Sequence, residues 1–158
     1  GAGRVIASDI NEYRLKSAEQ FGADEVLSGE EVSPERIRGI NHGRLADLVI
    51  VCAGNLPAYR QALECVDRGG TVLCFGLIQQ GIDISFPFFD FWNDGITLLP
   101  TYGGAPIDIS QAIELMRAHR LPLKEMITHR LPLAETGLGF KLVMEAKESI
   151  KVIIEPHR

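Results

Sequence analysis

The sequence predicts an α/β protein built on a parallel sheet, and three observations carry that prediction. Short β-rich apolar runs alternate with stretches of helical patterning. The strongest run, Leu48–Ala53, is apolar on both faces, as a strand covered from both sides requires. Glycines mark the strand exits at Gly54, Gly76 and Gly103, where the chain turns toward the next element.

In order, Val5–Ser8 reads as a strand. Asn11 to Phe21 reads as a helix, with Asn11 as N-cap, Leu15, Ala18 and Phe21 at helical spacing, and Gly22 as its stop. Glu25–Leu27 is a short strand. Pro34–Ile40 is a short helix capped by Ser33. After the Leu48–Ala53 strand, Pro57 opens a helix that carries Tyr59, Leu63 and Val66 and is expected to stop at Gly69-Gly70. Thr71–Phe75 is a second two-sided apolar strand. The aromatic-rich Phe86–Trp92 suits a short helix or a loop. Ile96–Thr101 is a strand, followed by a turn at Gly103-Gly104. Ile109, Ile113 and Met116 define a helix that starts at Asp108 or Ser110. Leu138, Leu142 and Val143 define another, and Lys151–Ile154 is a final strand. No stretch rich in Pro, Gly or Ser divides the chain, so 158 residues read as one domain.

Composition narrows the function. The chain has 16 Lys and Arg against 21 Asp and Glu, a formal charge of −5 that gives no bulk attraction to nucleic acid. No apolar run approaches the ~18 residues of a membrane span. No basic segment leads into an apolar one as a secretion signal would, so a cytoplasmic setting is expected. Cys52, Cys65 and Cys74 are odd in number and sit among apolar neighbours, so they are expected to be buried, reduced thiols.

The candidate site residues lie at strand ends, where ligands bind in open α/β sheets. Asp9 ends the first strand. A carboxylate there accepts hydrogen bonds from both hydroxyls of an adenosine ribose and repels a 2′-phosphate, which favours NAD over NADP. Arg14 lies close enough on the following helix to reach the same ribose or the adenine face. The alternative is that Asp9 merely caps the helix with Asn11. Cys52-Ala53-Gly54, Phe75-Gly76-Leu77 and Thr101-Tyr102-Gly103 end three successive strands and would line one crevice; the plainer reading is that glycine simply ends strands. Neither Gly1-Ala2-Gly3 nor Gly137-Leu138-Gly139 forms the G-x-G-x-x-G phosphate turn between strand and helix. His42, His119, His129 and His157 show no metal-ligand spacing, and His119 and His129 are expected at helix ends or in loops. Phe86, Phe88, Phe89, Phe91 and Trp92 suit a packing or subunit-contact surface.

These residues together resemble the cofactor-binding portion of the zinc-type medium-chain alcohol dehydrogenase family, in its L-threonine 3-dehydrogenase and sorbitol dehydrogenase branch. The matching pieces are Val5 to Leu15, Phe21-Gly22-Ala23-Asp24, Asp47 to Gly54, Arg68 to Val72, Phe75-Gly76-Leu77 and Lys151 to Ile154. The resemblance implies a Rossmann-like doubly wound parallel sheet. It implies NAD as cofactor, with Asp9 and Arg14 at the adenosine ribose. Phe75, Gly76 and Leu77, with Pro100, Thr101 and Tyr102, would meet the nicotinamide half. It implies hydride transfer between NAD and a secondary alcohol, zinc held only in the full-length parent by an N-terminal domain, and a homodimer or tetramer.

The chain departs from the family in lacking the phosphate turn and the first βα unit. It is therefore expected to be the C-terminal portion of a dehydrogenase, inactive alone, with its last residues packing back toward the catalytic domain. In the family's strand order the absent strand lies between Val5–Ser8 and Leu48–Ala53. Two apolar strand edges would be left, to be met by direct closure, by a second copy or by an upstream piece. The competing readings are a non-catalytic nucleotide-binding or interaction module, and a zinc-free quinone-reductase-like member of the same superfamily.

Overall fold

The computed structural model describes residues 2–157. The elements are β1 (Ile6–Asp9), α1 (Glu12–Gln20), β2 (Glu25–Ser28), α2 (Pro34–Ile40), β3 (Ala46–Val51), α3 (Leu56–Cys65) and β4 (Val66–Cys74). They continue with α4 (Phe88–Asp94), β5 (Thr97–Pro100), α5 (Pro106–Arg117), β6 (Ile127–Pro132), α6 (Thr136–Glu145) and β7 (Lys151–Glu155). Three helices begin as their sequence requires. The side chains of Asn11, Ser33 and Asn55 each accept a hydrogen bond from the backbone N–H three residues on, satisfying a donor the helix cannot.

The α/β class holds, and the β3–β4, β4–β5 and β6–β7 pairs are all parallel. The strands, however, fall into three sheets rather than one: β1–β2, β3–β4–β5 and β6–β7. Among the described residues, β1 and β3 belong to different sheets. Among the described residues, β3 pairs with a strand on its β4 side only. Its Leu48 and Ile50 are 54% and 53% exposed, whereas Val51 is buried. A strand of this composition is built to be covered, so these two side chains mark an apolar face without its cover.

The chain divides into two compact units. The first comprises residues 1–4 and 27–103. Its core joins Val51, Tyr59, Ala62, Val66, Val72 and Phe91, with Val49, Leu63, Phe86 and Ile96 packed against them. The aromatic segment thus splits: Phe91 and Phe86 pack inward, 5.0 Å between ring centres, while Phe88, Phe89 and Trp92 stay exposed. The second unit comprises residues 5–26 and 104–158. There α6 lies close against β6–β7, so that a Cβ on Gly139 would stand 3.1 Å from Ile154 Cδ1.

Several sequence expectations are corrected. The third helix ends at Cys65, and Val66 already belongs to β4. Gly69-Gly70 is not a helix stop. It takes up a register shift against β3, where Ala46 faces Val66 but Leu48 faces Thr71, and Gly69 supplies the positive φ of +70°. The fifth helix starts at Pro106, ahead of Asp108, whose carboxylate accepts from the Ala105 N–H. His129 lies within β6 rather than in a loop or at a helix end, while His119 does follow the end of α5.

Candidate functional site

In the second unit, β1 ends at Asp9 and α1 follows after two residues. Asp9 Oδ1 accepts from the Asn11 N–H at 2.9 Å, and Oδ2 lies 3.7 Å from Arg14 Nη1. Both side chains remain partly exposed, so the pair is weak as a stabilising ion pair and open to solvent. Asn11 is used completely. Its Oδ1 caps α1 through Arg14 N, and its Nδ2 donates to the carbonyls of Ala146 and Lys147 at 2.6 and 3.0 Å. The carboxylate of Asp9 is thereby fixed at the strand end with acceptor capacity to spare. Ile10, which sequence reasoning passed over, stands 90% exposed beside it. The only available signal was an apolar residue directly after a strand-end carboxylate.

In the first unit the parallel strands β3, β4 and β5 exit side by side. Cys52-Ala53-Gly54, Phe75-Gly76-Leu77 and Thr101-Tyr102 therefore follow three adjacent strand ends, with Pro100 closing β5. Phe75 N and Gly76 N both donate to Val51 O, at 3.1 and 2.6 Å, and Thr101 N donates to Cys74 O at 3.1 Å. The ladder thus continues one step past the regular strands. The glycines have a specific reason here. A Cβ on Gly54 would collide with Leu77 O, and one on Gly76 would stand 2.6 Å from the Ala53 carbonyl carbon. The space beside Gly54 is filled by backbone of the neighbouring exit rather than left for a ligand. What the exits present outward is Phe75, Leu77 and Tyr102, all exposed.

The cysteines differ among themselves. Cys52 is exposed, contrary to expectation, because it sits just past the last ladder residue of β3, while Cys65 is buried. All three are free thiols. Burial pushes the Cys65 thiol up to about 11, with the charges of Glu64 and Glu35 adding to it. The folded chain therefore holds this proton beyond the ordinary thiol value near ~8.5. Its contribution to stability is complete below that value and is lost as pH rises toward about 11. Urea midpoints measured across this range should fall with pH, and Cys65→Ala should flatten the fall.

Among the described residues, no three His, Cys, Asp or Glu side chains gather as a metal-ligand set. Nor is any described helix long and apolar enough to cross a membrane.

Parallel strands with helical crossovers, a carboxylate at one strand end and glycine-crossed exits at others define the class of α/β proteins that bind ligands at the carboxyl ends of their strands. Residues 1–118 match the family model described as zinc-binding dehydrogenase. The chain belongs to that family. It is 33% identical over 99% of its length to an L-threonine 3-dehydrogenase of Bacillus licheniformis, of which the match covers 45%. An alcohol dehydrogenase from Thermotoga maritima superposes with a TM-score of 0.80 at 31% identity, over 98% of this chain and 43% of that one. A zinc-binding dehydrogenase structure from Sinorhizobium meliloti, bound to NADP, superposes with a TM-score of 0.83 at 22% identity, over 99% and 46%. The chain thus spans a little under half the length of these relatives, and the fold they share contains the Rossmann-like sheet expected from the sequence.

Proposed function

We propose that this chain is the NAD-binding portion of a dehydrogenase that moves a hydride between a secondary alcohol and NAD. One observation carries the reading: the Asp9 carboxylate ends β1 directly before α1, oriented by the Asn11 N–H and flanked by Arg14. Ribose hydroxyls donate to such a carboxylate, and Ile10 offers an apolar surface for the attached base. The exits at Phe75-Gly76-Leu77 and Pro100-Thr101-Tyr102 take the nicotinamide half, and Cys52-Ala53-Gly54 is the neighbouring cofactor-binding exit. NAD, when bound, supplies the hydride acceptor; this chain's residues bind and orient it.

The L-threonine 3-dehydrogenase likeness supports a polyol or an L-threonine-like alcohol as substrate. The S. meliloti protein binds NADP, but at Asp9 a 2′-phosphate would face a carboxylate, so NAD is the cofactor assigned here. Zinc finds no ligand set among the described residues, and the reading places it with residues outside this chain. The parent is read as a cytoplasmic homodimer or tetramer.

The test is the full-length gene product assayed with NAD and with NADP against L-threonine, polyols and simple secondary alcohols. The expected result is reduction of NAD with a preference of about tenfold or more over NADP, the effect of ~1.4 kcal/mol of repulsion. Zinc chelation should abolish the reaction. Failure to reduce either cofactor with any alcohol would overturn the proposal.

A further inference from the structure

Tyr59 lies on α3 and is only 5% exposed, enclosed by the apolar core of the first unit. A phenylalanine would fill the same space with no polar group to satisfy, so the hydroxyl demands an account. Its partner is on the page: Tyr59 Oη donates to Gly76 O at 2.6 Å. Burial raises the phenol above its ordinary value, and the Cys74 thiol beside it adds to the shift, so the group stays a neutral donor.

The bond acts on the residue that most needs it. Gly76 has no Cβ because Ala53 crosses against it, and glycine left to itself samples more backbone orientations than any other residue. Its N–H is taken by Val51 O, and its carbonyl is taken by Tyr59. The Gly76 carbonyl and the Leu77 N–H share one planar trans peptide, so drawing the carbonyl toward α3 turns the Leu77 N–H the opposite way. Phe75 and Leu77, on either side, are 59% and 79% exposed.

We propose that Tyr59 is a positioning residue: its hydroxyl holds the Gly76 peptide in one orientation and so presets the Phe75-Gly76-Leu77 exit for the nicotinamide half of the cofactor. This rests on the cofactor reading above. The benefit is preorganisation, since a strand end already in its bound orientation loses less entropy on binding.

The experiment titrates the full-length gene product and its Tyr59→Phe variant with nicotinamide mononucleotide and, separately, with AMP. Loss of one hydrogen bond of ordinary strength should weaken mononucleotide binding about three- to tenfold and leave AMP binding unchanged. A merely structural role would weaken both alike or neither, and either result overturns the inference. If the unaltered protein binds neither probe, the cofactor reading fails and this inference falls with it. Should Tyr59→Phe not fold, amide exchange in the unaltered protein decides. Slower exchange of the Leu77 N–H on adding the mononucleotide supports the assignment, and an unchanged rate overturns it.

Discussion

Gly76→Ala is expected to lower the unfolding free energy by about 3 kcal/mol, the upper end of what overpacking costs. The added methyl would meet Ala53 C and O at 2.6 and 2.7 Å and Cys52 C at 2.8 Å. All three are backbone atoms of the β3 exit, and the Val51 carbonyl ties the β4 exit against it by accepting from the Phe75 and Gly76 N–H groups. No side chain can rotate away, so relief requires separating β4 from β3 where their ladder ends. Gly54→Ala should behave alike, since its methyl would collide with Leu77 O. The control is Gly39→Ala in α2, which meets nothing within 4 Å. There the gain in helix propensity should raise stability by ~0.5–1 kcal/mol. Urea unfolding of the three variants, followed by circular dichroism, measures the contrast. Similar losses at all three positions would show that the exits do not cross as described.

Asp9→Asn is expected to weaken NAD binding by the full-length gene product about ten- to hundredfold, the range of a charge-assisted hydrogen bond. The substitution keeps an oxygen for the Asn11 N–H, so the start of α1 survives and stability should change little. It removes the charge that repels a 2′-phosphate, so affinity for NADP should rise. The capping alternative predicts no change in cofactor binding, with stability again little altered because asparagine serves as well as aspartate at that hydrogen bond. Equilibrium titration therefore separates the two roles proposed for the carboxylate.

Much of this architecture is legible in the sequence wherever the signal is local. Asn11 and Ser33 announce their helices because a capping side chain bonds only three residues ahead, whereas the third helix is announced by Pro57 and its Asn55 cap emerges only in the structure. Gly69-Gly70 misleads because the same dipeptide serves a helix stop and a strand bulge, and only the partner strand decides between them. The strand Ile127–Pro132 is not evident in the sequence. Thr128, His129 and Arg130 dilute its apolar pattern and a proline ends it, and its identity as a strand comes from pairing with β7, more than 20 residues away. Asp9 is readable as a strand-end carboxylate, but its fixed orientation depends on Asn11, whose amide reaches Ala146 and Lys147 at the far end of the chain. Tyr59 reads as one more apolar residue on a helix face, because the carbonyl it binds lies 17 residues on. Gly54 and Gly76 are recognisable as exits, yet the reason for them, one backbone passing another, exists only in three dimensions.

The most direct measurement of the central claim compares the affinity of the full-length gene product for AMP and for adenosine 2′,5′-bisphosphate, which differ only in the 2′-phosphate. A carboxylate committed to the ribose hydroxyls predicts that AMP binds and that the bisphosphate binds about tenfold or more weakly. Equal affinity, or tighter binding of the bisphosphate, would contradict the assignment of Asp9 and with it the choice of NAD.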